Sequence, residues 1–137
     1  MKVEEIMTTK VESVLPTTSL RAVARKMSDL GVGALPVVDE GILIGIITDR
    51  DVSVYAIAMG HDPQSTEVQK VMTREVFTCN ASENINQAAK IMEQHKIRRL
   101  TVMRGDQELA GFLSVDDIAP VSGDLAGAVL EAATPIH

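Results

Sequence analysis

The heptapeptide Gly45-Ile46-Ile47-Thr48-Asp49-Arg50-Asp51 returns later in the chain as Gly111-Phe112-Leu113-Ser114-Val115-Asp116-Asp117. In both copies an apolar run suited to a strand gives way, at a hydroxyl residue, to an acidic stretch suited to a first helical turn. Upstream of each lies a second apolar run, Ala34 to Val38 and Leu100 to Met103. The turns Asp39-Glu40-Gly41 and Arg104 to Gln107 separate these runs from Ile42 to Thr48 and from Glu108 to Ser114, which predicts two tight hairpins. Before the first hairpin, Leu20, Val23, Ala24, Met27 and Leu30 recur at helical spacing, with Thr17, Thr18 and Ser19 supplying a cap. Ile85, Ala88, Ala89 and Met92 make the same face in the second copy, with Ser82 as the cap and His95 in the place of Leu30. A short strand is expected near Val11 to Val14. A helix follows each hairpin, from Asp49 to about Met59, stopped by Gly60, and from Val115 to about Ala119, stopped by Pro120.

The agreement extends beyond the hairpins. Laying Met7-Thr8 on Met72-Thr73 also lays Val11 on Val76, Ala24 on Ala89, Met27 on Met92, Leu35 on Leu100 and Val37 on Val102. One extra residue in the second copy then brings Gly45, Thr48 and Asp51 onto Gly111, Ser114 and Asp117. The chain is therefore read as two diverged copies of one α/β unit, a repeat that must be recognised before any motif is interpreted. The expected organisation is a first repeat over 1–60, a short turn-rich linker over 61–66, a second repeat over 67–120 and a helical tail over 121–137. In the tail, Asp124 to Ala133 is a helical candidate whose Leu125, Val129 and Leu130 form an apolar face. That face is expected to pack on the module or on a second subunit.

Composition narrows the function. With 137 residues, 45% hydrophobic and 23% charged, the chain has globular composition and no room for a further catalytic domain of ordinary size. Aromatic residues make up only 2%, and Tyr55, Phe77 and Phe112 are the rings on which a single-stranded nucleic acid could stack. Together with a formal net charge of -6, this argues against nucleic acid as a general partner. The single cysteine, Cys79, cannot form an intramolecular disulfide, and no Cys/His cluster has zinc spacing. No apolar run approaches the roughly 20 residues that span a bilayer, and the start MKVEEIM lacks an apolar signal core. The expectation is a soluble, cytoplasmic protein with no membrane partner.

The doubled Gly-x-x-Thr/Ser-x-x-Asp motif, the Ile6-Met7-Thr8 and Val71-Met72-Thr73 lead-ins, the helix stripe and the Leu35 to Asp39 run together resemble the cystathionine-β-synthase (CBS) domain family. The resemblance covers about residues 3 to 120, and the chain looks like the stand-alone two-domain proteins of bacteria. It implies a mixed α/β fold, a tandem CBS pair or Bateman module, in which two βαββα repeats are related by pseudo-twofold symmetry and meet at a cleft. It also implies a homodimer. Clefts of this family commonly hold adenosine-containing ligands: AMP, ADP, ATP, S-adenosylmethionine or NAD(H).

Thr48 and Asp51, repeated as Ser114 and Asp117, fall where a strand ends and a helix opens, where unpaired backbone N–H groups favour an anion. A hydroxyl there can donate to phosphate or ribose, and a carboxylate can accept from both hydroxyls of a ribose. In the family these matched positions are the ribose and phosphate contacts. The same residue types are also ordinary helix caps, and the sequence leaves both roles open. Arg98 and Arg99 stand where the first copy has Gly33 and Ala34. Nucleotide-binding relatives use basic residues here to hold phosphate, and a guanidinium can do so with two parallel hydrogen bonds; pairing with surface carboxylates is the alternative. If they reach phosphate, the corner they serve prefers a phosphorylated ligand.

The remaining candidates carry less. The role of Arg50 is open, Pro36 shapes its strand where the second copy has Thr101, and Met7, Met27, Met72 and Met92 recur at core positions suited to packing. His61, His95 and His137 lack ligand spacing. No nucleophile with a base, no paired acid and base and no metal set is recognisable, so an enzyme is not expected. The sequence reads as a regulatory module that signals ligand occupancy to an effector protein, with a ligand-free dimeric interaction module as the alternative.

Overall fold

The computed structural model describes residues 1–134, so Pro135 to His137, the end of the expected tail, lie outside the described residues. Its elements run α1 (Leu20–Leu30), β1 (Ala34–Asp39), β2 (Ile42–Thr48), α2 (Asp49–Ser53), β3 (Thr78–Asn80), α3 (Ile85–His95), β4 (Arg99–Arg104), β5 (Glu108–Ser114), α4 (Val115–Ile118) and α5 (Gly123–Ala133). One-turn 3₁₀ helices occupy Val3–Glu5 and Val68–Lys70, and a π turn over Val54–Ala58 continues α2. The expected βαββα order is complete in the second repeat. In the first, the strand expected at Val11 to Val14 is reduced to a single parallel bridge from Val14 to Val37, the place where β3 runs parallel to β4 through Cys79 and Val102.

The chain packs as two compact units, Glu12–Val76 and Met1–Val11 with Phe77–His137. In the first, the Ser19 hydroxyl accepts from the Ala22 N–H at 3.1 Å and starts α1, which lays Leu20, Val23 and Met27 against Leu35, Val37 and Ile47 of the β1–β2 hairpin. Each such side chain, once out of water, contributes about 1.5–3 kcal/mol. Leu30 departs from the expected stripe: it lies in the last turn and stays 43% exposed. The hairpin turns on Glu40 and Gly41, both at positive φ (50° and 80°), as a two-residue turn matching the twist of its strands requires.

In the second unit, β4 pairs antiparallel with β5 and parallel with β3, while α3 buries Ile85, Ala88, Ala89 and Met92. The cap of α3 is Asn84, not Ser82. Asn84 immediately precedes the helix and accepts from the Asn86 N–H at 2.9 Å, whereas Ser82 is held by Asn80, to which both its N–H and its hydroxyl donate. Helix α5, capped by Ser122, packs Ala126 and Val129 into the core of this unit beside α3 and α4. Leu125 packs against that core, but Leu130, expected on the same face, is 41% exposed. Met7, Met27, Met72 and Met92 are all buried, as their recurrence suggested.

The packing units differ from the sequence repeats at one point. The lead-in of each repeat docks on the hairpin of the other. Thr73 exchanges two backbone hydrogen bonds of 2.9 Å with Ile46, and Thr8 exchanges bonds of 2.8 and 3.0 Å with Phe112. The neighbouring glycines make this approach feasible. A Cβ on Gly45 would stand 2.6 Å from Met72 Sδ, and one on Gly111 would stand 2.4 Å from the Thr8 carbonyl oxygen. Each hairpin also carries an extra residue beside that glycine, Ile44 or Ala110, a bulge that bends the strand locally.

Candidate functional site

The two motif copies build the same corner. Thr48 ends β2 in extended backbone, and its hydroxyl accepts from the Asp51 N–H at 3.1 Å while Asp51 Oδ2 accepts from the Thr48 N–H at 3.1 Å. Ser114 and Asp117 repeat this reciprocal cap at 3.3 and 3.0 Å. The capping role that the sequence allowed is therefore real. It does not exhaust these groups, because all four residues are half-buried and a carboxylate offers about four acceptor positions. Among the described residues, Asp51 Oδ1 receives no hydrogen bond. The Thr48–Asp51 corner can thus present an acceptor and a hydroxyl side by side to a ligand, whereas the Ser114 hydroxyl also donates to Asp117 Oδ2 at 3.3 Å.

Arg98 and Arg99 adjoin the second corner. Arg99 pairs directly with Ser114 across the β4–β5 hairpin, and the Arg98 carbonyl accepts from the Val115 N–H at 2.9 Å. Directly opposed residues project from the same face, so the Arg99 guanidinium starts on the side of the Ser114 hydroxyl. Both arginines are exposed, and neither forms an ion pair among the described residues. The first corner is built alike with different chemistry. Ala34 opposes Thr48, the Gly33 carbonyl accepts from the Asp49 N–H, and the Asp49 carboxylate lies over Gly33 and accepts from the Arg50 N–H at 2.8 Å.

Thr8 was not singled out by sequence reasoning. Its hydroxyl donates to Asp117, 3.3 Å from Oδ1 and 3.4 Å from Oδ2. The repeated Met-Thr lead-in was the available signal, but residue patterns alone do not show that Thr8 meets the hairpin of the second repeat. His61 stands edge-on to Tyr55 with centroids 5.9 Å apart, and His95 stacks on Phe77 at 3.8 Å; His137 lies outside the described residues. Cys79 is buried, and burial, with a smaller contribution from Glu83, raises its thiol from 9.0 to about 12. No helix among the described residues is long and apolar enough to cross a membrane.

The CBS domain model matches residues 3–57 and again 68–123. The chain belongs to the CBS domain family. The CBS domain-containing protein YhcV of Bacillus subtilis is 37% identical over 130 residues, which span 93% of this chain and 91% of YhcV. Among solved structures, the CBS domain pair of MJ0100 in complex with 5′-methylthioadenosine and S-adenosyl-L-methionine has a TM-score of 0.77 at 26% identity, covering 90% of this chain and 96% of that one. CBSX2 in complex with AMP has a TM-score of 0.76 at 25% identity, covering 88% and 94%. This chain is thus a tandem CBS pair of mixed α and β structure.

Proposed function

We propose that this CBS pair is a non-catalytic regulatory module that binds an adenosine-containing ligand, of the class AMP, ADP, ATP, S-adenosylmethionine or NAD(H), and passes its occupancy to an effector protein. Thr48 with Asp51, and Ser114 with Asp117, hold the ribose and neighbouring oxygens, and Arg98 and Arg99 hold phosphate. The module works as a homodimer. One observation carries the reading: half-buried Thr/Ser and Asp pairs with spare bonding capacity recur at matched corners of both repeats. Related CBS pairs hold 5′-methylthioadenosine, S-adenosylmethionine or AMP. Coupling between ligand and effector of about 1–3 kcal/mol is enough to switch a weak association.

Titration calorimetry with each of these ligands tests the proposal. Asp51→Ala and Asp117→Ala are expected to weaken binding while circular dichroism stays unchanged; equal heats from wild type and both variants would refute it.

A ligand-free interaction module is the second reading. It is favoured by the apolar side chains left in water along and just after the α2 segment, with Ile57 83%, Met59 60% and Val54 38% exposed. A ligand panel that leaves Tm unmoved, together with Ile57→Glu abolishing self-association in sedimentation, would select it.

A further inference from the structure

The two acidic corners are matched in backbone but not in bonding. Asp51 Oδ2 accepts one hydrogen bond, from the Thr48 N–H, and Oδ1 accepts none among the described residues. Asp117 Oδ2 accepts from the Ser114 N–H at 3.0 Å and from the Ser114 hydroxyl at 3.3 Å. The Thr8 hydroxyl then forks across both Asp117 oxygens. The cause lies in the lead-ins. Thr8 and Thr73 occupy the same place, each bridged through its backbone to the second strand of a hairpin, at Phe112 and Ile46. Among the described residues, Thr8 turns its hydroxyl onto the acid of its corner and Thr73 does not.

A vicinal diol that chelates a carboxylate brings one donor to each oxygen. Asp51 has room for both. At Asp117 the donors already present leave room for one, because Oδ2 is surrounded and Oδ1 shares the Thr8 proton. We propose that Thr8 gates the Asp117 corner: its hydroxyl occupies the place of a ligand hydroxyl and must be displaced before a ribose diol can chelate Asp117, whereas the Asp51 corner stands open. This inference rests on the adenosine-ligand reading and adds that a ribose diol meets a competing hydroxyl at Asp117 and none at Asp51. Thr8 is followed by Thr9, Lys10 and Val11, after which the chain enters the other compact unit.

The test uses AMP as the probe and Thr8→Val, which keeps the side-chain shape and the backbone bridge to Phe112 while removing the donor. In an Asp51→Asn background, which reports on the second corner, Thr8→Val is expected to tighten AMP binding about fivefold, the worth of one modest hydrogen bond. The gain should shrink with 2′-deoxy-AMP, which cannot chelate. In an Asp117→Asn background, AMP binding should not respond to Thr8→Val. Unchanged or weaker AMP binding on Thr8→Val in the Asp51→Asn background overturns the gate while leaving the ligand reading intact. Loss of AMP binding from wild type and every variant overturns the ligand reading, and the gate with it. Without ligand, the Tm shifts of Thr8→Val and Asp117→Asn should combine non-additively, and additive shifts also overturn the gate.

Discussion

Arg99 faces Ser114 across the β4–β5 hairpin, where the first repeat sets Ala34 against Thr48. One corner of the chain thus carries a cation on the face of its hydroxyl, and the other carries a methyl group. The difference is in charge as well as in size, so it should appear in which ligands each corner accepts.

The double change Arg98→Ala/Arg99→Ala is expected to weaken AMP and ATP about tenfold or more, the scale of a charge-assisted phosphate contact, and to leave adenosine nearly unaffected. Calorimetry with all three ligands at fixed salt checks this. A parallel loss for adenosine would mean that the arginines act through the fold.

Thr48→Ala removes a hydroxyl that satisfies the Asp51 N–H, and it should cost about 1 kcal/mol of folding stability, as loss of an N-cap usually does. Thr48→Ser should restore most of that loss. Urea denaturation of the three proteins, free of ligand, separates this capping role from any effect on binding.

Gly111→Ala should be more damaging than Gly45→Ala. At Gly111 the new methyl meets backbone, the Thr8 carbonyl oxygen at 2.4 Å; at Gly45 its nearest neighbour is the Met72 side chain, with the Thr73 carbonyl next at 2.9 Å. Both should lower Tm, and Gly111→Ala should also raise amide exchange along residues 1–11, because it expels the docked segment. Equal Tm values for the two variants would contradict this account.

Cys79 gives a pH prediction of defined sign. Its thiol titrates at about 12 in the folded chain and near 9.0 when exposed, so the unfolded state loses its proton first as pH rises. The contribution of Cys79 to stability is complete below pH 9 and declines between pH 9 and about 12. Cys79→Ala should remove that part of the alkaline decline in chemical denaturation. At pH 8 the native thiol should resist a thiol reagent that labels the unfolded chain at once.

Most of the fold could be read from residue patterns, for identifiable reasons. The hairpins were legible because apolar runs flank turn residues, and α1 and α3 because their buried stripes keep helical spacing. The cap of α3 was misread because Ser82 and Asn84 are both good capping types, and only the pull of Asn80 on Ser82 decides between them. The strand near Val14 shrank to one bridge, a matter of backbone pairing that composition does not register. Of the candidate site, Thr48 with Asp51 and Ser114 with Asp117 were visible as motifs. The share of Thr8 in the Asp117 corner was not, since residues 8 and 117 meet only through a long-range strand bridge.

That bridge, and its counterpart between Thr73 and Ile46, restricts how this gene can be divided. Cutting the chain in the linker would leave each half holding the other's docking segment and missing its own, with the backbone groups of Ile46 or Phe112 that it bonds left to solvent. Neither half is a self-sufficient module, so a truncation meant to isolate one CBS domain should aggregate or recruit its missing strand from another molecule. A viable minimal fragment would have to follow the packing, spanning Glu12 to Val76, rather than the boundary at which the duplication is read.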